Sequence, residues 1–304
     1  MKTRRDKLVN EPKRIGFVGL GRVARAFATA FARAGLSISR SFDISAEKLS
    51  VWCKLGFPAA QTLAQAALAA EVLFITTTDD AIDPVAEQLG NMPDAETLKA
   101  VFHTSGARPA SVLSRIAKHI DYGSIHPVMS FSGDVNDADR LQGCVFCVEA
   151  GTEGGAGIAK DLCKKLGGKV VMLSSEAKVA HHLACSIASN FAVLLMDEAR
   201  NVHSKAGLPS DASLAMLGRL AEASVQNTAK LGPEAALTGP FARGDAATVE
   251  SHVRWLKENM PEMLDLYTML GRRTVKLALR AGRITVVQAD ALLKTLAKEL
   301  DEEN

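Results

Sequence analysis

Residues 14–24, RIGFVGLGRVA, decide the fold that this sequence predicts. The first five residues form a short apolar run typical of a β-strand, and the pattern Gly19-x-Gly21-x-x-Ala24 follows it directly. Apolar residues at steps of four then predict a helix over 23–34. A strand, a glycine-rich turn and a helix in this order are typical of the first unit of a dinucleotide-binding fold.

Each small residue of this motif has a structural role. The first glycine allows a tight turn, the second lets the backbone approach a pyrophosphate, and the small third residue lets helix and strand pack closely. Asp43 follows Gly19 by 24 residues, at the end of the predicted second strand, where a carboxylate can bind ribose hydroxyls. The alternative is a glycine turn that holds no ligand. The residues expected to contact the dinucleotide are Gly19, Gly21, Arg22, Val23, Ala24, Asp43, Thr77, Thr78 and Asp79.

The sequence leaves the choice between NAD and NADP open. The carboxylate of Asp43 would repel a 2′-phosphate, which favours NAD slightly. Arg22, Arg40 and Lys48 are close enough in the sequence to pair with such a phosphate, so NADP stays in consideration.

Strands and helices alternate up to about residue 174, and only helices are expected after it. The predicted strands are 14–18, 37–43, 72–77, 101–104, 123–125, 145–149 and 169–173, and the predicted helices between them include 45–55, 61–69, 82–90, 109–119 and 154–166. The later helices are 176–206, 211–231, 246–281 and 285–302, with a turn-rich loop at 237–245. The predicted fold class is therefore α/β, a Rossmann-like doubly wound sheet over 14–174 followed by an all-α domain over 175–304.

Length and charge limit the function classes. The 304 residues suit two domains, and the net charge of +2 comes from a basic tail over 1–13. Aromatic residues make up only 5%, so a nucleic-acid surface is not expected. We found no run of 18 uncharged apolar residues and no apolar signal segment, and we therefore expect no membrane association and a cytoplasmic location.

Five cysteines, an odd number, argue against a disulfide framework. Cys144 and Cys147 form a CxxC motif within a predicted strand, where residues three apart point to opposite faces. We interpret them as buried strand cysteines, and no metal site is expected.

Polar residues follow several predicted strands, at the edge where α/β sheets bind ligands. Ser105 and His126 are the candidate catalytic residues, His126 as the acid/base and Ser105 as the residue that orients it. The structural alternatives are a turn for Ser105, a buried hydrogen-bonded ring for His126, and helix capping by Asp79 or Asp80.

The first helix after the sheet carries polar residues at steps of four, namely Lys178, His182, Ser186 and Asn190. Such a row lies along one side of a helix. Lys178, His182 and Asn190 are predicted to bind substrate. An ordinary solvated face is the alternative.

Several longer segments resemble a known family. GLGRVA, HTSGARPASVL, GSIHPVMSF, SIASNFAVLL and LTGPFARGD together resemble NAD(P)-dependent oxidoreductases in which a Rossmann-like domain precedes a helical domain of unknown function, the domain of unknown function 2520 group. The layout is similar to that of pyrroline-5-carboxylate reductases, ketopantoate reductases and β-hydroxyacid dehydrogenases. The resemblance implies a cofactor in the N-terminal cleft, substrate between the domains and a homodimer formed through helices.

Two further likenesses are partial. Ser105 and His126-Pro127 resemble the serine and the HP histidine of prephenate dehydrogenases, but VMSFSG lacks the glycines that follow that motif. Lys178 matches the lysine of β-hydroxyacid dehydrogenases, whereas His182 stands in place of their asparagine.

The sequence thus predicts an NAD(P)-dependent dehydrogenase or reductase that transfers a hydride to or from a small, carboxylate-bearing metabolite in an interdomain cleft. The alternatives are a non-catalytic dinucleotide-binding sensor, a prephenate-dehydrogenase-like enzyme and an oxidoreductase that uses a deazaflavin.

Overall fold

The computed structural model describes residues 13–93 and 96–297. The predicted basic tail, apart from Lys13, lies outside the described residues. The chain divides into two compact units, Met1–Asn190 and Phe191–Asn304. The sequence pattern changes near residue 174, so the first unit also includes the helix that follows the last strand.

A seven-stranded sheet forms the centre of the first unit. Its strands are β1 (Arg14–Val18), β2 (Ser37–Ile38), β3 (Val72–Ile75), β4 (Ala100–His103), β5 (Asp121–Pro127), β6 (Val145–Ala150) and β7 (Lys169–Met172). Their order is β2-β1-β3-β4-β5-β6-β7. Adjacent strands are parallel except β5 and β6, which are antiparallel. The sheet confirms the predicted α/β class, and the change of strand order between β1 and β3 is where such sheets bind ligands.

Helices cover both faces of this sheet. They are α1 (Arg22–Arg33), α2 (Ala46–Lys54), α3 (Leu63–Ala69), α4 (Asp79–Gly90), α5 (Glu153–Lys165) and α6 (Ser175–Ala188). The apolar side chains of the strands form one core with α1 and α5 and another with α3 and α4. Stacked and edge-on rings of Phe17, Phe27, Phe74 and Phe102 lie in the first of these cores. Burial of each such ring contributes about 1.5–3 kcal/mol to folding.

The predicted helix over 109–119 is wrong. Only a single 3₁₀ turn, Ala110–Leu113, forms there. Backbone bonds from Ser114 to Ser111 and from Ile116 to Leu113 span three residues each. Leu113 and Ile116 are both buried in the core. They are three residues apart, and turns of three residues place them on the same side.

The helical part contains more breaks than predicted. Its helices are α7 (Asn190–Lys205), α8 (Ser210–Leu231), α9 (Pro233–Ala236), α10 (Pro240–Arg243), α11 (Ala246–Asn259), α12 (Leu264–Arg280) and α13 (Val286–Ala297). The predicted helix 176–206 is interrupted at Ser189, and the predicted helix 246–281 at Pro261, which has no backbone N–H to continue the ladder. The loop predicted at 237–245 contains the single turn of α10.

One helical stretch, Ser175–Lys205, is long and apolar enough for a membrane span by length and mean hydropathy (1.5) alone. Residues 179–196 contain no Asp, Glu, Lys or Arg, although His, Ser and Asn side chains interrupt the apolar ones. One such stretch is weak support for a span, and Lys178 within it is buried against the sheet.

Candidate functional site

The turn between β1 and α1 has the geometry that its sequence predicts. Gly19 has a φ of +89°, and a Cβ there would lie 2.7 Å from the backbone nitrogen of Thr77. Gly21 precedes α1, and apart from its neighbours in the chain no described atom lies within 4 Å of the position that its Cβ would take. Ala24 is fully buried beneath the turn. The open space at the start of α1 is therefore where backbone N–H groups can hold a phosphate.

Asp43 supports this turn through backbone contacts. Its carboxylate accepts hydrogen bonds from the N–H of Leu20 (2.6 Å) and of Ser45 (2.8 Å). The Lys48 ammonium lies 3.8 Å away. Since both carboxylate oxygens are engaged and a cation lies close by, repulsion of a 2′-phosphate is a weaker argument for NAD than the sequence alone suggests.

A cavity of about 360 Å³ opens beside the turn. Five of the predicted dinucleotide contacts line it, namely Gly19, Gly21, Asp43, Thr77 and Thr78. The other four do not: Ala24 lies in the core, Val23 packs against it, Arg22 donates a hydrogen bond to the carbonyl of Phe131 (3.3 Å), and Asp79 begins α4. The residues present fit a pyridine dinucleotide, because the open glycine turn and the hydroxyl-bearing β3 end suit its phosphates and ribose.

Helix α4 begins three residues earlier than predicted. Thr78 takes the position before its first turn, so Asp79 and Asp80 lie inside that turn. A hydrogen bond from the Thr78 side chain lowers the pKa of Asp80. Neither aspartate is the capping residue, although their charges favour the positive end of the helix.

The antiparallel pairing of β5 and β6 assembles a buried polar cluster. It aligns Ser124 with Glu149 and His126 with Cys147, and all four residues lie on one face. The ammonium of Lys178, on α6, donates to the hydroxyl of Ser124 at 2.6 Å and lies 3.5 Å from the Glu149 carboxylate. Lys178 is 2% exposed, so this is a fully desolvated ion pair.

Glu149 is held by further hydrogen bonds. It accepts from the N–H of Ala110 (2.8 Å) and from the hydroxyl of Ser175. Burial lowers the pKa of Lys178, and the attraction of Glu149 opposes that shift. The pair joins α6 to the sheet.

Ser105 has the role of a turn residue. Its hydroxyl oxygen accepts hydrogen bonds from the N–H groups of Ala107 (3.1 Å) and Arg108 (2.9 Å), and its carbonyl accepts one from Lys178 (3.1 Å). Among the hydrogen bonds of the described residues, none joins Ser105 to His126. The structure thus favours the turn interpretation, and orientation of His126 by Ser105 stays a prediction without a contact to support it.

His126 instead contacts a second histidine. Its Nδ1 lies 3.1 Å from Nε2 of His181, and its ring centroid is 6.3 Å from that of His182. Burial, followed by the nearby charges of His181, Lys178 and His182, lowers the pKa of His126 to about 4. The ring is therefore neutral near pH 7, so the ordinary pKa that suggested acid/base work does not apply here.

Gly106 allows this close packing of rings. A Cβ at Gly106 would lie 2.9 Å from Nε2 of His126 and equally close to Cδ2 of His182. Such separations are shorter than side chains tolerate. The glycine after β4 is therefore part of what brings the histidines together.

A second cavity, of about 480 Å³, opens at these histidines. The predicted substrate residues His182 and Asn190 line it, together with Ser186 and His126. Lys178 belongs to the same polar row but points into the buried cluster, because successive residues four apart drift around a helix. All lining residues belong to the first unit.

Sequence reasoning missed His181, Cys185 and Glu149. His181 and Cys185 are four residues apart on α6, and the Cys185 sulfur lies 3.6 Å from Nε2 of His181. That spacing is a usable signal in the sequence. Glu149 had no such signal, since its partners depend on the reversed direction of β6.

Two family descriptions match the chain. Residues 14–101 match "NADP oxidoreductase coenzyme F420-dependent", and residues 144–274 match a domain of unknown function, DUF2520. No curated protein matches the sequence significantly.

Solved structures show the same fold over most of the chain. A candidate NADP oxidoreductase from Bacteroides fragilis, BF3122, is 24% identical, with a TM-score of 0.71 over 87% of this chain and 98% of its own. Protein TM1727 from Thermotoga maritima is 26% identical, with a TM-score of 0.63 over 95% and 99%. A pyrroline-5-carboxylate reductase from Coxiella burnetii is 18% identical, with a TM-score of 0.54 over 93% and 99%.

These findings confirm the resemblance drawn from the sequence motifs: an NADP-oxidoreductase-type domain precedes a DUF2520 domain in one chain. They also confirm the predicted enzyme class, a dehydrogenase or reductase with a pyridine-nucleotide cofactor.

Proposed function

We propose that this chain, a pyridine-nucleotide oxidoreductase by its family match, reduces a carbonyl or imine group of a small carboxylate-bearing metabolite, or catalyses the reverse reaction. One observation carries the proposal. The dinucleotide turn follows β1 and the histidine-lined cavity follows β5, so both lie at the carboxyl ends of parallel strands in one sheet.

The turn and its cavity would hold the cofactor. Backbone N–H groups at the start of α1 would bind the pyrophosphate, and Thr77 and Thr78 would lie along the nucleotide. A bound pyridine nucleotide supplies or accepts the hydride. We leave NAD and NADP as alternatives, since Asp43 is engaged by backbone N–H groups and Lys48 lies beside it.

The second cavity would hold the substrate. Its volume of about 480 Å³ suits a small metabolite, and Ser186 and Asn190 offer hydrogen bonds to a carboxylate. The sequence suggested a site between two domains; we place it in this cavity, whose lining belongs to the first unit.

His126 would contact the oxygen or nitrogen of the reacting group. As a neutral imidazole it can donate one hydrogen bond without carrying charge, and the proton that balances the hydride would come from water in the cavity that His126 lines. The Lys178 ammonium behind it adds positive potential where negative charge develops during reduction. Lys178 would thus act on the substrate through its charge rather than by contact.

Turnover tests this proposal. Small 2-oxo acids and cyclic imine acids are offered with NADH and NADPH, and we expect oxidation of at least one cofactor. His126→Ala should reduce kcat/KM by about 10²-fold or more, because the hydrogen-bond donor is removed, while leaving dinucleotide binding unchanged. A His119→Ala variant serves as the control. Full activity in His126→Ala would remove His126 from the reaction.

Two other functions would give different results in these assays. Tight dinucleotide binding without turnover across the panel would favour the sensor. Oxidation of a reduced deazaflavin, in an assay where NADH and NADPH are inert donors, would favour the deazaflavin enzyme that the family description also names.

We also propose a cytoplasmic homodimer. The support for the dimer is a row of exposed apolar side chains along α6, namely Val179, Leu183 and Ile187. Light scattering on the purified protein tests the dimer, and a monomer at micromolar concentration would reject it.

A further inference from the structure

Two imidazoles and a thiol converge at the mouth of the histidine-lined cavity. His126 comes from β5, while His181 and Cys185 lie one turn apart on α6. One ligand atom from each lies within 4.8 Å of the others. We propose that His126, His181 and Cys185 together bind one divalent transition-metal ion of the zinc type.

The separations match those of a metal site. Nδ1 of His126 is 3.1 Å from Nε2 of His181, and the Cys185 sulfur is 3.6 Å from the same nitrogen. With Zn–N bonds of about 2.0–2.1 Å and Zn–S bonds of about 2.3 Å, tetrahedral ligands stand about 3.3–3.6 Å apart. Small side-chain rotations would therefore suffice to close the site.

The donor types select the ion. Imidazole nitrogen together with thiolate sulfur suits zinc or cobalt, whereas magnesium and calcium prefer oxygen. The Cys147 sulfur lies 3.9 Å from Nδ1 of His181, on the strand next to His126, where it can stabilise the ring or replace a ligand.

The nearby charge does not prevent binding. Lys178 and His182 both act by their charge on His126 and on His181, and the Glu149 carboxylate lies 3.5 Å from the Lys178 ammonium. Glu149 thereby reduces, without cancelling, the positive charge that Lys178 places near the two imidazoles.

Three protein ligands leave a fourth position of a tetrahedral ion open. All three residues also line the cavity of about 480 Å³, so that position faces the space where we place the substrate. The ligand expected there is an oxygen of a small carbonyl or carboxylate compound. With the ion present, His126 is its ligand, and the ion takes the place of His126 against the reacting group.

Cobalt provides the test. The purified full chain is freed of metal with a chelator and titrated with Co²⁺ while absorption is recorded. We expect one equivalent to bind, with a thiolate-to-cobalt charge-transfer band and the visible bands of a tetrahedral ion. Cys185→Ser should abolish the charge-transfer band, and His181→Gln should weaken cobalt binding about tenfold or more.

Cys53→Ser is the matched control, because Cys53 is an exposed thiol on α2, distant in sequence from the cluster. It should leave the cobalt spectrum unchanged. Absence of stoichiometric binding to the wild type would overturn the proposal, as would a charge-transfer band that persists in Cys185→Ser or disappears in Cys53→Ser.

Dinucleotide binding, measured on the same samples, keeps the two proposals apart. If the wild-type protein binds the dinucleotide but does not bind cobalt, the metal site is rejected and the oxidoreductase proposal stands. Cobalt binding without any dinucleotide binding rejects the oxidoreductase and leaves the metal site standing.

Discussion

At the residue scale, Lys178 and Glu149 form an ion pair in which both side chains are buried. Removal of the ammonium in Lys178→Met would leave the Glu149 carboxylate buried without its partner. The expected loss is about 3–5 kcal/mol in the free energy of unfolding, measured by urea denaturation. The double variant Lys178→Met/Glu149→Gln should be more stable than Lys178→Met, because no charge is then stranded.

A surface pair is the control for this prediction. Lys99 Nζ lies 2.9 Å from Glu71 Oε1 in a partly exposed ion pair. Lys99→Met should lower the free energy of unfolding by less than about 1 kcal/mol. If Lys99→Met and Lys178→Met lower the free energy of unfolding by the same amount, the greater importance of the buried pair is contradicted.

His103 makes stability depend on pH. It is fully buried, and burial, followed by the charge of Lys178, lowers its pKa to about 3 from an ordinary value of 6.5. As the pH falls below 6.5, the unfolded chain binds this proton and the folded chain does not. Stability is therefore lost on acidification, with a slope that approaches about 1.4 kcal/mol per pH unit for this residue.

Urea midpoints between pH 5 and 8 test the slope. Trp52 lies in the first unit and Trp255 in the second, so Trp52 fluorescence in a Trp255→Phe background follows the first unit alone. His103→Gln should show a shallower loss toward low pH than the parent, whereas parallel curves would contradict this role of His103.

At the element scale, the turn between β1 and α1 contains two glycines with different tasks. Gly19→Ala forces a Cβ toward the Thr77 nitrogen at a φ of +89° and should cost at least about 1–3 kcal/mol. Gly21→Ala meets open space and should leave the melting temperature unchanged, but its methyl group would obstruct a pyrophosphate. Thermal denaturation and dinucleotide titration of both variants check this contrast; a destabilised Gly21→Ala variant would contradict it.

The same elements show how much of the fold is predictable. β1, the glycine turn and α1 were predictable because strand, turn and helix chemistry all occur within 20 residues. The direction of β6 was not, since a short apolar run has the same pattern in either direction. Consequently the partners Ser124–Glu149 and His126–Cys147 could not be foreseen, and neither could the cluster that they build.

The helical row on α6 was partly predictable. His182 lies on α6 and Asn190 begins α7, and both line one cavity; that they bind substrate stays a prediction. The burial of Lys178 depends on how α6 packs against the sheet, which spacing within one helix does not define.

At the scale of the whole molecule, the proposals concern two cavities of one unit. We assign the dinucleotide to the cavity beside Gly19 and Gly21, and the small metabolite and the metal ion to the cavity beside His126. The helical unit has its own core, formed by side chains of α11, α12 and α13. We therefore propose that cofactor and substrate bind in the same unit.

Titration of the wild-type protein with NADH and NADPH, followed by nicotinamide fluorescence, tests this account most directly. We predict saturable binding of at least one of the two at one site per chain, with that binding weakened in Gly21→Ala. A folded protein that binds neither nucleotide would contradict the account.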